Sequence, residues 1–223
     1  TELERQTQNI RMTGIVSLDM SSPVPLAEGW CTLYRAISFM VPNLQQLDLS
    51  HTMMSFGILK LFAVRCPRLE IIRWNNNSHG CLVADGCNLQ SINNLKEFYF
   101  DNWCIDFDYY YSMNEDEDTN DIDDNDDASD DNGVHAVDAM SDSNNYPDKF
   151  LFHNLLDKPL ERISIRNARY ISDNGNEEKT IPQSILLKFV RNAPATLVWF
   201  RSDLSQANIG ILQSKRPGIQ LLN

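Results

Sequence analysis

Histidine and cysteine side chains are the first candidates for chemistry in this 223-residue chain, because they ligate metals and act as bases or nucleophiles. Cys81 and Cys87 lie six residues apart, but no second Cys or His pair follows at the spacing of a zinc site. The others are widely separated: His51, His79, His135, His153, Cys31, Cys66 and Cys104. No phosphate-binding glycine loop and no nucleophile elbow is present. We therefore expect no catalytic, cofactor-binding or metal-ligating residue, and a protein that is not an enzyme.

A run of aspartates in the middle of the chain has some of the features of a calcium-binding loop. An EF-hand loop needs oxygen ligands at alternate positions, then a glycine, and a bidentate glutamate at its end. Asp116, Asp118 and Asn120 match the first ligands, but Asp121 replaces the glycine and Asp127 the glutamate. The run therefore departs from an EF-hand. Loose cation binding, contact with a basic protein segment and an inert solvated loop stay open as its roles.

The net charge of −12 is concentrated in this same segment. Between Asp106 and Asp148 lie 16 of the 31 acidic residues and no lysine or arginine, which leaves 15 acidic and 19 basic residues elsewhere. A segment so rich in like charge and so poor in large apolar side chains cannot offset the entropy of ordering. We therefore predict that residues 112–147 are a disordered acidic insertion. The rest of the chain is too weakly basic to indicate specific nucleic-acid binding.

The elements that would position any binding residue are indicated by a repeat. Three apolar residues recur with the spacing 1, 4 and 6, and the copies that start at Leu44, Leu69 and Leu95 lie 25 and 26 residues apart. Such alternation is typical of a β-strand buried on one face, and a period of about 26 residues indicates stacked repeats. The copies are Leu44-Leu47-Leu49, Leu69-Ile72-Trp74, Leu95-Phe98-Phe100 and Leu160-Ile163-Ile165, with weaker ones at Ile15-Leu18-Met20, Ala195-Val198-Phe200 and Ile219-Leu222.

A helix-like apolar segment that ends at a proline precedes most of these strands. Proline stops a helix and biases the residue before it toward extended backbone. One helix and one strand cannot bury their apolar faces alone, so we predict that the repeats stack into a continuous core. The prolines are Pro42, Pro67, Pro159, Pro194 and Pro217, and the residues before Pro67 that recur at helical spacing are Ile58, Leu59, Phe62, Ala63 and Cys66.

This helix–proline–strand unit resembles the cysteine-containing leucine-rich repeats of F-box proteins, which are ribonuclease-inhibitor-like. The resemblance is clearest from Cys66-Pro67-Arg68-Leu69 to Asn77 and extends over most of the chain. It implies an α/β fold, a right-handed leucine-rich-repeat solenoid with a curved parallel sheet and with helices on its convex side. Residues 1–111 would form the N-terminal part of the solenoid and residues 148–223 its C-terminal part, with the acidic insertion between them.

The resemblance also implies a function, that of a non-catalytic protein–protein interaction scaffold whose partner binds the concave face of the repeats. One alternative is the substrate-recognition subunit of an SCF-type ubiquitin ligase, although no F-box is recognisable in the first 14 residues. Another is a regulator similar to acidic leucine-rich nuclear proteins or Ran GTPase activators. No signal peptide or transmembrane segment is evident, and the odd number of dispersed cysteines favours an intracellular location, cytoplasmic or nuclear.

The outward positions of the predicted strands identify candidate partner-binding residues on that face. Their charge changes from acidic at the N-terminal strands to basic at the C-terminal strands. We therefore expect the arginines and a tryptophan near the C-terminus to contact an acidic partner segment, and contact with the chain's own acidic insertion is a second hypothesis. The candidates are Asp48, Arg73, Tyr99 and Trp199, assigned to one outward position, and Arg162, Arg166 and Arg201, assigned to the neighbouring ones.

Overall fold

The computed structural model describes residues 10–21, 30–52, 56–76, 89–106, 151, 155–171 and 177–223. The predicted disordered insertion at residues 112–147 lies outside the described residues, as do its junctions with the two predicted parts of the solenoid. His79, His135 and His153 lie outside them as well.

Ten short strands in the described part form two sheets. The larger sheet has seven strands, each parallel to its neighbours, and the smaller has three. In the order in which they pair, the strands of the larger sheet are β1 (Ser17–Asp19), β2 (Gln46–Asp48), β3 (Ile71–Arg73), β4 (Glu97–Tyr99), β6 (Arg162–Ser164), β9 (Trp199–Arg201) and β10 (Gln220–Leu222). The smaller sheet contains β5 (Cys104–Asp106), β7 (Arg169–Ile171) and β8 (Glu178–Thr180), with β7 and β8 antiparallel.

Four α-helices in the described part cover one face of the larger sheet. They are α1 (Trp30–Met40), α2 (Phe56–Arg65), α3 (Gln183–Asn192) and α4 (Gln206–Lys215), and a short 3-10 helix lies at Leu89–Ser91. α1 packs beside α2, and α3 beside α4. The five residues that were predicted to turn toward the strands before Pro67 are all buried, which confirms the helical spacing. The chain is therefore an α/β protein with a mostly parallel sheet.

The middle residues of the strands point at the helices and form the centre of one hydrophobic core. Because side chains alternate along a strand, the first and third residues of each strand point to the opposite side. All twelve residues of the four strongest apolar triplets are at most 1% exposed, so the predicted strands are confirmed there. The aligned middle residues are Leu18, Leu47, Ile72, Phe98, Ile163, Phe200 and Leu221.

The pattern predicted the wrong register for the last two strands. In β9 Phe200 takes the middle position rather than Val198, a shift of two residues, and in β10 Leu221 takes it rather than Leu222. The cause is an inverted polarity, since the apolar Val198 is 50% exposed whereas the polar Ser202 is fully buried. A search for apolar residues therefore aligns this repeat two positions too early.

Polar side chains tie the turns that follow β2, β3, β4 and β6. Four residues at the same place in successive turns have left-handed backbone, with φ between 54° and 62°. Asparagine tolerates this conformation better than most residues do. Their side chains form a ladder in which the Asn76 amide lies 3.2 Å from the ring of His51, Asn102 donates to Asn76 at 2.6 Å, and Asn167 donates to Asn102 at 2.9 Å. We call this set the amide ladder: His51, Asn76, Asn102 and Asn167.

The ends of the C-terminal helices are also capped by side chains. The guanidinium of Arg216 donates to three carbonyl oxygens at the end of α3, those of Val190, Ala193 and Pro194, at 2.6, 2.9 and 3.0 Å. Ser205 accepts from the backbone N–H of Asn208 at the start of α4. These caps satisfy groups that a helix end leaves unpaired, and they fix the frame behind β9 and β10.

Candidate functional site

The side of the larger sheet that faces away from the helices carries the candidate binding residues. We call it the open face, and it consists of the first and third residues of the seven strands. The first residues are Ser17, Gln46, Ile71, Glu97, Arg162, Trp199 and Gln220, and the third residues are Asp19, Asp48, Arg73, Tyr99, Ser164, Arg201 and Leu222. Trp199 is thus in the row of Arg162, and Arg201 in the row of Tyr99, which corrects both of the predicted assignments.

Two aromatic rings meet above the strand that separates them. Tyr99 on β4 and Trp199 on β9 are two strands apart, yet their ring centroids are only 6.1 Å from each other, with a tilt of 52°. Both rings therefore lie over β6, where Ser164, the residue paired with Tyr99, is fully buried. The small serine side chain leaves room for this contact, which buries part of each ring and stabilises the pair.

Two arginine side chains stack on these rings. The guanidinium carbon of Arg162 lies 4.7 Å from the Trp199 ring centroid, and that of Arg73 lies 5.3 Å from the Tyr99 ring centroid. A guanidinium above an aromatic face is attracted by the negative π-cloud and loses part of its conformational freedom. We call these four residues the arginine–aromatic cluster: Arg73, Tyr99, Arg162 and Trp199.

A carboxylate on β4 anchors the centre of the cluster. The Tyr99 hydroxyl donates to Oε2 of Glu97 at 2.7 Å. Partial burial raises the pKa of Tyr99 above its ordinary value, and the hydrogen bond to Glu97 raises it further, while Arg162 acts in the opposite direction. The phenol therefore stays protonated and keeps its orientation, so the aromatic surface is held in one geometry.

Beside the cluster lies a buried polar network that joins three strands. Oδ1 of Asp101 accepts from the Ser164 hydroxyl at 2.5 Å and from the backbone N–H of Arg166 at 2.8 Å. The Arg201 guanidinium forms an ion pair with Asp101 and donates to Ser164 Oγ at 2.8 Å. Asp101 is 6% exposed and Ser164 is fully buried, whereas the Arg201 side chain is 36% exposed, so the acidic centre of the network is shielded from water. We call it the buried network: Asp101, Ser164 and Arg201.

The structure brings four of the seven predicted residues together and separates the other three. Arg73, Tyr99, Arg162 and Trp199 form the cluster. Arg201 is committed to Asp101. The side chain of Arg166 is exposed beyond the end of β6, and that of Asp48 accepts from the backbone N–H of Ser50 at 2.9 Å, one strand before the cluster.

Three residues that the sequence did not single out take part in these contacts: Glu97, Asp101 and Ser164. Glu97 and Ser164 are outward strand positions, so the repeat alone could have placed them near the aromatic residues. The partnership of Asp101 with Arg201 crosses 100 residues of sequence, and no local pattern indicates it.

Metal ligands and cysteine thiols are the groups that the sequence offered first for chemistry. Within the described ranges, no group of three or more His, Cys, Asp or Glu side chains could hold a metal ion. Cys66 is fully buried, its thiol lies 3.3 Å from the Val41 carbonyl oxygen, and burial raises its pKa to about 12. A thiol in that environment is a weak nucleophile, because the thiolate is the reactive form.

A scan against protein-family models finds no match, and a search of curated proteins finds no significant similarity. Within the described ranges, no helix has both the length and the apolar character needed to cross a membrane.

Proposed function

We propose that this protein is a non-catalytic protein–protein interaction scaffold whose partner binds the open face. The observation that carries the proposal is the arginine–aromatic cluster. Arginine, tyrosine and tryptophan are the residues most enriched among the energetic centres of protein interfaces. Here two arginines and two aromatic rings are half-buried and in contact with one another on a sheet face that the helices leave uncovered.

The fold that we propose for this scaffold is a right-handed leucine-rich-repeat solenoid with helices on its convex side. Three features support it: the parallel strands with aligned middle residues, the helices behind them, and the recurrence of left-handed backbone at one place in four turns. Each of these features recurs from one repeat to the next, as stacked units require. In such a fold the open face would be the concave surface, on which partners usually dock.

The charges on the open face favour a protein partner over a nucleic acid. Binding to a phosphate backbone depends on several neighbouring cations, whereas the open face carries the carboxylates of Asp19, Asp48 and Glu97 beside Arg73 and Arg162. A protein segment can match both signs, and its apolar side chains can cover the aromatic rings. We further propose an intracellular location, cytoplasmic or nuclear, which the buried reduced thiol of Cys66 suits.

The proposal is tested by removing the aromatic surface and identifying what no longer binds. The intact chain, a Trp199→Ala variant and an Ile211→Ala control are used for quantitative affinity purification from the source cells. Ile211 is 46% exposed on α4, on the other side of the protein, so the control removes an exposed apolar side chain without touching the open face. Partners recovered with the wild type and the control but lost with Trp199→Ala would support the proposal. Equal recovery by all three proteins would refute it.

A further inference from the structure

Two arginines of the cluster form no ion pair within the described residues. In the described part of the chain, neither Arg73 nor Arg162 forms an ion pair with a carboxylate, whereas Lys96 pairs with Glu70, and Arg169 with Glu178, each at 2.9 Å. The third arginine of the open face, Arg201, is paired with Asp101. The cationic groups that remain available to a ligand are therefore those of Arg73 and Arg162.

These two arginines are held in place without being neutralised. Each guanidinium rests on the face of an aromatic ring, so its position is restricted although its N–H donors are not used by a carboxylate. A carboxylate ligand would then bind with a smaller loss of side-chain entropy than it would at a mobile arginine. The carboxylate of Glu97 limits the positive charge at the cluster, which suits one or two acidic groups better than a long polyanion.

The neighbouring part of the open face has the opposite charge. Asp19 on β1 and Asp48 on β2 occupy the same row as Arg73 on β3. The Arg73 guanidinium lies over Tyr99 on β4 and so points away from Asp48. Across four adjacent strands the row therefore runs from two carboxylates to a guanidinium and an aromatic ring. A ligand that crosses these strands meets negative charge first, then positive charge, then aromatic surface.

We propose that the partner segment on the open face is an extended mixed-charge peptide, with basic side chains over Asp19 and Asp48 and an acidic side chain, next to a large apolar one, at the arginine–aromatic cluster. This inference rests on the proposed function and names the chemistry of the partner. Adjacent strands are about 4.8 Å apart, so β2 and β6 are separated by about 14 Å, which an extended chain spans with about four residues. The basic and acidic residues of the ligand therefore stand about four positions apart.

A random peptide library tests the proposal directly. Peptides of about 12 residues, long enough to cross the larger sheet, are selected on the full chain and sequenced. The selected sequences are expected to combine an acidic residue beside an aromatic or aliphatic one with lysine or arginine about four positions away. In binding assays with a selected peptide, Arg162→Glu should weaken the affinity about tenfold at low salt. Asp48→Asn keeps an acceptor oxygen for the backbone N–H of Ser50. It should reduce only the part of the affinity that comes from the basic residue of the peptide.

Matched variants separate the possible outcomes. Arg191→Glu makes the same charge change on an exposed position of α3 and should leave the affinity unchanged. Circular dichroism verifies that every variant is folded, and Trp199→Leu, which keeps an apolar side chain, accompanies Trp199→Ala. Peptides that depend on Trp199 but lack the charge pattern, or that respond equally to Arg162→Glu and Arg191→Glu, would overturn the inference and leave the proposed function standing. A library that yields no binder, or only binders indifferent to Trp199, would overturn both.

Discussion

The buried network and the amide ladder cross the same strands, but they do so by different physical means. The ladder is exposed and repeated, and it consists mostly of amides, with one side chain in each of four successive turns. The network is charged, is buried at Asp101 and Ser164, and lies at the carboxyl ends of β4, β6 and β9. Water replaces a lost hydrogen bond in the ladder, whereas in the network a lost partner leaves polar groups buried without compensation. The same number of hydrogen bonds should therefore contribute more to the free energy of unfolding in the buried network than in the amide ladder.

The largest effect is expected at the centre of the network. Asp101→Ala removes the acceptor of Ser164 and Arg166 and the counter-charge of Arg201, and we expect it to lower the free energy of unfolding by about 3 kcal/mol. Asp101→Asn keeps an acceptor oxygen and loses only the charge, so it should be less harmful. Urea denaturation measures both variants, and equal losses would show that the ion pair with Arg201 dominates over the hydrogen bonds.

A smaller effect is expected from two serines that differ in their partners although both are fully buried. Ser164 donates to Asp101 and accepts from Arg201, so Ser164→Ala should cost about 2 kcal/mol. The hydroxyl of Ser202 has no hydrogen-bond partner among the described residues, and Ser202→Ala should be neutral or slightly stabilising. Thermal unfolding of the two variants under the same conditions checks this, and a comparable decrease in Tm for both would contradict the contrast.

The amide ladder should respond to backbone conformation more than to its hydrogen bonds. Asn102 has a φ of 54°, a left-handed conformation that strains alanine but not glycine. Asn102→Ala and Asn102→Gly both lose the same side-chain hydrogen bonds. Asn102→Ala should therefore lower the free energy of unfolding by about 1 kcal/mol more than Asn102→Gly does. The difference is measured from the urea midpoints of the two variants. If glycine and alanine are equally destabilising, the hydrogen bonds of the ladder matter more than its conformation.

The smallest effect concerns Tyr99, whose hydroxyl is only partly shielded. The pKa of Tyr99 is raised in the folded protein, so folding favours the neutral phenol. The neutral phenol therefore contributes to stability below the ordinary pKa of tyrosine, and this contribution is lost as the pH rises through the pKa of Tyr99 in the folded protein. Absorbance titration of the phenolate should therefore include a contribution from Tyr99 above the ordinary range of tyrosine. Tyr99→Phe should remove this ionisation at high pH while the other tyrosines titrate as before. If the same ionisation at high pH persists in Tyr99→Phe, it does not belong to Tyr99.

Much of the larger sheet was predictable from the sequence because strand alternation is a local property. The triplets at Leu44, Leu69, Leu95 and Leu160 identified four strands and their middle residues, since each contains large apolar side chains at every core position. Prediction failed at β9, where Ser202 lies in the core and Val198 lies in solvent. A pattern of apolar residues has no means of recognising such a repeat.

The candidate site, like the sheet, was predictable from the sequence only in part. The repeat placed Arg73, Tyr99 and Arg162 on one face from the sequence alone, because outward positions follow from the register of each strand. Only the tertiary structure decided that Trp199 meets Tyr99 across β6, and that Asp101 takes Arg201 out of the set of available cations. Those two contacts join residues 100 positions apart, and they depend on side-chain volume and on the pairing of strands that only folding brings together.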